Sequence, residues 1–156
     1  MDLIQRIIFT SDDYYERETL DKVFRLYKNG IIGKMVSAGE GVILDIGANI
    51  GNHSLFFCNE YKAKKVYCFE PMEKTFSILK KNIEINQLQE KVILNKFGLG
   101  NRDGRASATN NNLLNIGGTA ICMDDGGQLE VHSLDGLNID EPVILVKIDV
   151  EGMERE

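Results

Sequence analysis

Between Val42 and Phe97, two rhythms of apolar residues alternate. Largely apolar runs at Val42–Ile46, Val66–Phe69 and residues 92–97 read as short strands buried on both faces. Residues 52–61 and 73–86 read as helices, the second with Phe76, Leu79 and Ile83 on one face. The order β-α-β-α-β predicts a parallel sheet covered on both sides. Right-handed crossovers then give an α/β fold with a Rossmann-like, doubly wound, mostly parallel sheet. Upstream, residues 11–30 predict one helix. Ser11, Asp12 or Asp13 would cap it, Leu20, Val23, Phe24 and Tyr27 make its apolar face, and Gly30 closes it. Leu3, Ile4, Ile7, Ile8 and Phe9 suggest a short strand or a helical turn. Residues 1–40 are thus a helical segment packing on a domain of residues 41–156.

After Gly98 the pattern changes. Residues 100–128 are rich in Gly, Asn, Asp and Thr, and too long for a plain connection. They predict a functional loop or an irregular hairpin. Residues 128–134 alternate as a short strand, and Val143–Ile148 reads as another buried strand, ending in acids.

Composition narrows the class. The chain has 156 residues, 43% hydrophobic and 27% charged, enough for one domain with a real core. A net charge of −6 argues against phosphate-driven nucleic-acid binding, and Lys62, Lys64 and Lys65 read as a solvated helix end. No signal peptide is visible, and no stretch approaches the ~20 apolar residues of a membrane span. Cys58, Cys68 and Cys122 lack metal-ligand or paired spacing and read as buried thiols, with no metal site expected. His53 and His132 are isolated and read as structural. These features fit a cytoplasmic protein.

The candidate chemistry lies where the first strand gives way to a helix. Asp45, Gly47, Asn49 and Gly51 alternate through that turn. In an open parallel sheet, ligands bind at the carboxyl ends of the strands. Glycines allow positive φ and close approach of a ligand, and the N–H groups that open the next helix favour an anion. A dinucleotide fingerprint reads GxGxxG, but here an acid, Asp45, replaces the first glycine. It would repel a pyrophosphate and suit an ammonium group. Glu70 ends the second strand, where an acid accepts hydrogen bonds from ribose hydroxyls. The ligand so described is a ribonucleoside joined to a zwitterion, and S-adenosylmethionine meets that description.

The chain resembles class I methyltransferases, and within them the FkbM family. The resemblance rests on "LDIGANIG", "CFEP", "NIGGTA" and "LVKIDVEGME", in that order, over residues 44–154. It implies S-adenosylmethionine as cofactor and O-methylation of a hydroxyl on a sugar or other small natural-product acceptor. It also implies roles for particular residues. Asp45, Gly47 and Gly51, with Asn49 nearby, would hold the methionine end, and Glu70 the ribose. Gly98 and Leu99 would meet the adenine, with Asp103 either an acceptor for its amine or a turn residue. Asn115, Gly117 and Gly118 would line the site. Asp149 and Glu151 would sit beside the methyl group, one of them serving as general base if one is needed. The competing readings are an NAD(P)-binding oxidoreductase domain, a methyltransferase for RNA or protein, and a cofactor-binding but inactive fragment. The last arises because class I methyltransferases continue for three more strands, so the chain reads as truncated after the fourth core strand. An apolar sheet edge would then need cover, for which a second copy is one source.

Overall fold

The computed structural model describes residues 13–28, 30–109 and 120–150. Its central sheet is parallel and four-stranded. It contains β1 (Val42–Ile46), β2 (Val66–Phe69), β3 (Val92–Asn95) and, last in the chain, β8 (Val143–Ile148). The strand order is β3-β2-β1-β8. β1 lies between two neighbours and is buried at all five positions, Asp45 included. A second sheet joins β4 (Gly98–Gly100), β5 (Gly104–Thr109), β6 (Ala120–Met123) and β7 (Leu129–Ser133) in the order β4-β7-β5-β6.

The helices are α1 (Arg17–Lys28), α2 (Ile31–Ala38), α3 (Asn52–Asn59) and α4 (Glu73–Ile85). All four contribute to one apolar cluster on one face of the central sheet. Leu20, Val36, Phe56, Leu79 and Ile83 pack there with Ile43, Val66 and Cys68. Tyr14, Phe24 and Tyr61 add aromatic edges, Tyr14 meeting Phe56 at 5.3 Å and 87°. On the opposite face Val42, Leu44, Ile46 and Phe69 pack with Phe97, Leu99, Leu137, Ile139 and Val150. The alternation of side chains along β1 thus feeds two separate cores.

Several local expectations are corrected. The third strand ends at Asn95, not 97, because Phe97 turns to the far face and packs on Phe69 and His132. α1 starts at Arg17, since Glu16 has a φ of 57° that no helix continues through. Asp13 instead accepts from the Tyr14 amide and pairs with Arg17. Gly30 is extended and heads a second helix, α2, instead of closing the first. α2 escaped notice because it buries only Val36 and carries Gly33 in its middle. α3 stops at Asn59, short of the expected 61. Cys122 is exposed, unlike Cys58 and Cys68. The Gly- and Asn-rich stretch forms a hairpin, with Ala106 opposite Met123 and Thr109 opposite Ala120. Its tip, residues 110–119, lies outside the described residues, as do the expected element at 3–9, the caps Ser11 and Asp12, and residues 151–156.

Among the described residues β8 has a neighbour on one side only. It is therefore less buried than its apolar run suggests, with Val143, Val146 and Ile148 exposed. No helix among the described residues is long and apolar enough to cross a membrane.

Leu79 is wholly buried, and its Cδ1 lies 2.6 Å from where a Cβ on Gly51 would stand. It joins α4 to the turn after β1. Leu79→Ala should lower unfolding free energy by about 2–5 kcal/mol, read as a shifted urea midpoint at unchanged slope.

Candidate functional site

The site is built on the strand tips. Asp45 lies opposite Lys147 of β8 on one side and opposite Cys68 of β2 on the other. Asp45 is wholly buried. Its Oδ2 accepts from Ser54 Oγ at 2.5 Å, and that oxygen lies 2.9 Å from Cys68 Sγ. Its Oδ1 stands 3.1 Å from Lys147 Nζ, an ion pair without an aligned hydrogen bond. Lys147 donates to Gly47 O at 2.7 Å and Ile46 O at 3.4 Å, and lies 3.9 Å from Asp149 Oδ2. Asp45 therefore acts at the tip through Ser54, Lys147 and the turn they hold.

The turn itself is left-handed at Gly47, Asn49 and Gly51, with φ of 73°, 50° and 91°. Gly47 N and Ala48 N both donate to Phe69 O at 3.0 Å, which ties the turn to β2. A Cβ on Gly47 would stand 2.0 Å from Asp149 O, and Asp149 N donates to Ile46 O. Gly47 is thus required by the approach of one strand tip to another, beyond any ligand.

Glu70 is 6% exposed and faces inward. Its Oε2 accepts from the Asn49 amide at 3.0 Å, and its Oε1 from the Met72 amide and Thr75 Oγ1 at 2.9 and 2.8 Å. Burial pushes its pKa up, against those hydrogen bonds. The carboxylate links the glycine turn to the start of α4. Asn49 Oδ1 is buried and has no hydrogen-bond partner among the described residues.

Asn52, at the start of α3, accepts from Tyr15 N at 2.8 Å and donates to Tyr15 O at 3.0 Å. This pairing seats the segment before α1 beside the turn. The next residue, His53, has a side chain 12% exposed and an Nε2 3.6 Å from Glu16 Oε2. Burial, then the charge of Lys147, lowers its pKa below 6.5.

The structure brings Asp45, Gly47, Asn49, Gly51, Glu70 and Asp149 to one end of the sheet. Asp149 carries the exposed carboxylate, its side chain 65% accessible. Gly98 and Leu99 lie in β4, paired with Val131 and His132 of β7, and Gly98 approaches Pro71. Asp103 accepts from the Ser133 amide at 2.7 Å, a turn contact. Asn115, Gly117, Gly118 and Glu151 fall outside the described residues. Lys147, Ser54 and Thr75 were missed. Lys147 had a legible signal: a lysine inside an apolar strand, two residues before the acidic tip.

A parallel sheet with a glycine turn after its central strand and acids at adjacent tips defines a Rossmann-like, class I methyltransferase fold. Its structure is similar to the crystal structure of Methyltransferase FkbM from Methylobacillus flagellatus KT, with a TM-score of 0.50 and 17% identity over 73% of this chain and 27% of that one. Residues 45–156 match the Methyltransferase FkbM domain, and the chain belongs to that family. It is also 31% identical over 70 residues to Methyltransferase 1 of Beauveria bassiana (strain ARSEF 2860), across 45% of this chain and 28% of that protein. The chain thus spans little more than a quarter of the length of either relative.

Two outcomes test this geometry. Gly47→Ala forces a Cβ into Asp149 O at positive φ and should cost several kcal/mol, on the order of the strain and overpacking of such sites. Gly136→Ala, with nothing within 4 Å, should stay within about 0.5 kcal/mol in the same urea titration. The second concerns pH. Because His53 titrates below 6.5 when folded, the unfolded chain binds more protons between that lower value and 6.5. His53 therefore costs no stability above 6.5, and stability falls as pH drops from 6.5 toward the folded value. Glu70, raised above 4.5, acts with opposite sign as pH rises from there. The difference between wild type and His53→Gln isolates the histidine: the slope just below 6.5 should flatten in the variant.

Proposed function

We propose that this chain binds S-adenosylmethionine and serves, in the cytoplasm, to methylate a hydroxyl on a sugar or other small natural-product acceptor. One observation carries the reading. At a glycine turn between strand and helix, Asn49 gives its backbone N–H to the Glu70 carboxylate, its buried Oδ1 has no hydrogen-bond partner among the described residues, and Asp149 stands exposed at the neighbouring strand tip. A ligand bearing hydroxyl and ammonium donors fits that set, and a diphosphate does not. Asp149, exposed at the tip of β8, would take the ammonium or the acceptor's proton. Glu70 Oε2 keeps one unused lone pair for a ribose hydroxyl, and Gly98 and Leu99 would flank the adenine.

When bound, the cofactor supplies a methyl group already activated by a positive sulfur. What the chain contributes is alignment and proton management. The turn is pinned to β2, β8 and α4, so groups bound against it lose little further freedom. Asp149, if it receives the hydroxyl proton, must lie within hydrogen-bond reach of the acceptor oxygen.

Calorimetry with S-adenosylmethionine, S-adenosylhomocysteine and NAD checks the reading. Binding of the first two and not the third is expected, and no heat from the first two overturns it. Asp149→Asn should lower kcat by roughly 10²–10⁴, the usual range for a general base, with a much smaller change in cofactor affinity. Parallel losses in both would remove Asp149 from proton transfer.

A further inference from the structure

Lys147 stands at the centre of the strand tips yet has no part in the chemistry so far. Its side chain is 16% exposed. An ammonium has three protons and no acceptor. Here Gly47 O at 2.7 Å and Ile46 O at 3.4 Å accept from it, and Asp45 Oδ1 lies 3.1 Å away as an ion pair without an aligned hydrogen bond. Two protons go to the backbone of the turn and the charge is set against Asp45, so Lys147 acts through the groups it holds. A counter-ion for Asp45 would need only the carboxylate. Two backbone carbonyls of the turn and Asp149 at 3.9 Å are more than charge balance demands. These contacts gather the exit of β1, the turn and the tip of β8 around one point. The same charge reaches His53, adding to the lowering that burial causes, and Glu70, where it opposes the upward push of burial.

We infer that Lys147 is a positioning residue: by holding the Gly47 carbonyl and the Asp149 carboxylate around one ammonium, it sets the shape of the ligand-binding turn. The consequence for ligand affinity rests on the S-adenosylmethionine reading, and the ordering of the turn does not.

Two variants separate positioning from charge balance. Lys147→Met alone strands the buried Asp45 carboxylate and should unfold easily. The pair Asp45→Asn with Lys147→Met removes both charges, keeps an acceptor for Ser54, and should melt near wild type. Its turn carbonyl has nevertheless lost its donor. Amide hydrogen exchange in a peptide covering residues 45–52 should therefore rise at least tenfold. S-adenosylhomocysteine should bind at least tenfold more weakly by calorimetry, and kcat should fall more than KM rises. Lys147→Arg, which keeps the charge and so the fold, should show the same loss of affinity because a planar fork cannot serve this cluster. Wild-type exchange in the double variant, or wild-type affinity in either variant, overturns the proposal. If wild-type protein binds neither sulfonium nor thioether nucleoside, the cofactor reading falls, and exchange in the turn decides the role of Lys147 by itself.

Discussion

The buried pair of Asp45 and Lys147 is the constraint on which the rest of this structure depends. Asp45 has no exposed surface, and isolated burial of a carboxylate is far too costly to persist. It is tolerated because Ser54 donates to one oxygen and Lys147 lies against the other. Such a pair is weak evidence of net stability, since desolvation cancels most of the attraction. Its effect is positional. Asp45 and Lys147 face each other in register across β1 and β8, so the pair fixes which residues of β8 reach the turn.

From that anchor the turn is tied in three further directions. Phe69 O receives two of its amides, Asn82 donates to Ile50 O, and Glu70 receives the amide of Asn49. Each net contribution is only about 1 kcal/mol, but together they hold three residues in left-handed backbone that is unfavourable for asparagine. The glycines answer to internal geometry as much as to a ligand. Gly47 yields to Asp149 O, and Gly51 to Leu79.

How much of this was legible follows from which forces act locally. β1, β2, α4 and β8 were readable because burial writes a period into the sequence, and Leu79 and Ile83 lie where that period puts them. The cluster of Asp45, Gly47, Asn49, Glu70 and Asp149 was readable because a parallel sheet sends all strand tips to one end. The roles were not. That Asp45 is consumed by Ser54 and Lys147 depends on pairing across about a hundred residues, which no local pattern encodes. The inward turn of Glu70 depends on Thr75 and the Met72 amide, groups with no periodic signature. α2 was hidden for another reason: Ile32, Met35 and Val36 do lie at helical spacing, but the helix is only eight residues long and is interrupted by Gly33.

The charges at the tip also change meaning once their partners are known. Two carboxylates gripping a cation would be an expectation from sequence alone, yet Asp45 is neutralised within the protein and Glu70 is turned inward with its pKa raised. Asp149 is left as the exposed negative group. Among the described residues three carboxylates gather there against one ammonium, so the field still opposes a diphosphate at close range, where low dielectric strengthens it. Attraction for a cation is then focused on one accessible carboxylate at the mouth, while the inner acids shape the backbone beneath it. Selectivity in this arrangement comes from where the chain spends its buried charge, and an extra acid in the turn would add little that Lys147 and Asp149 do not already set.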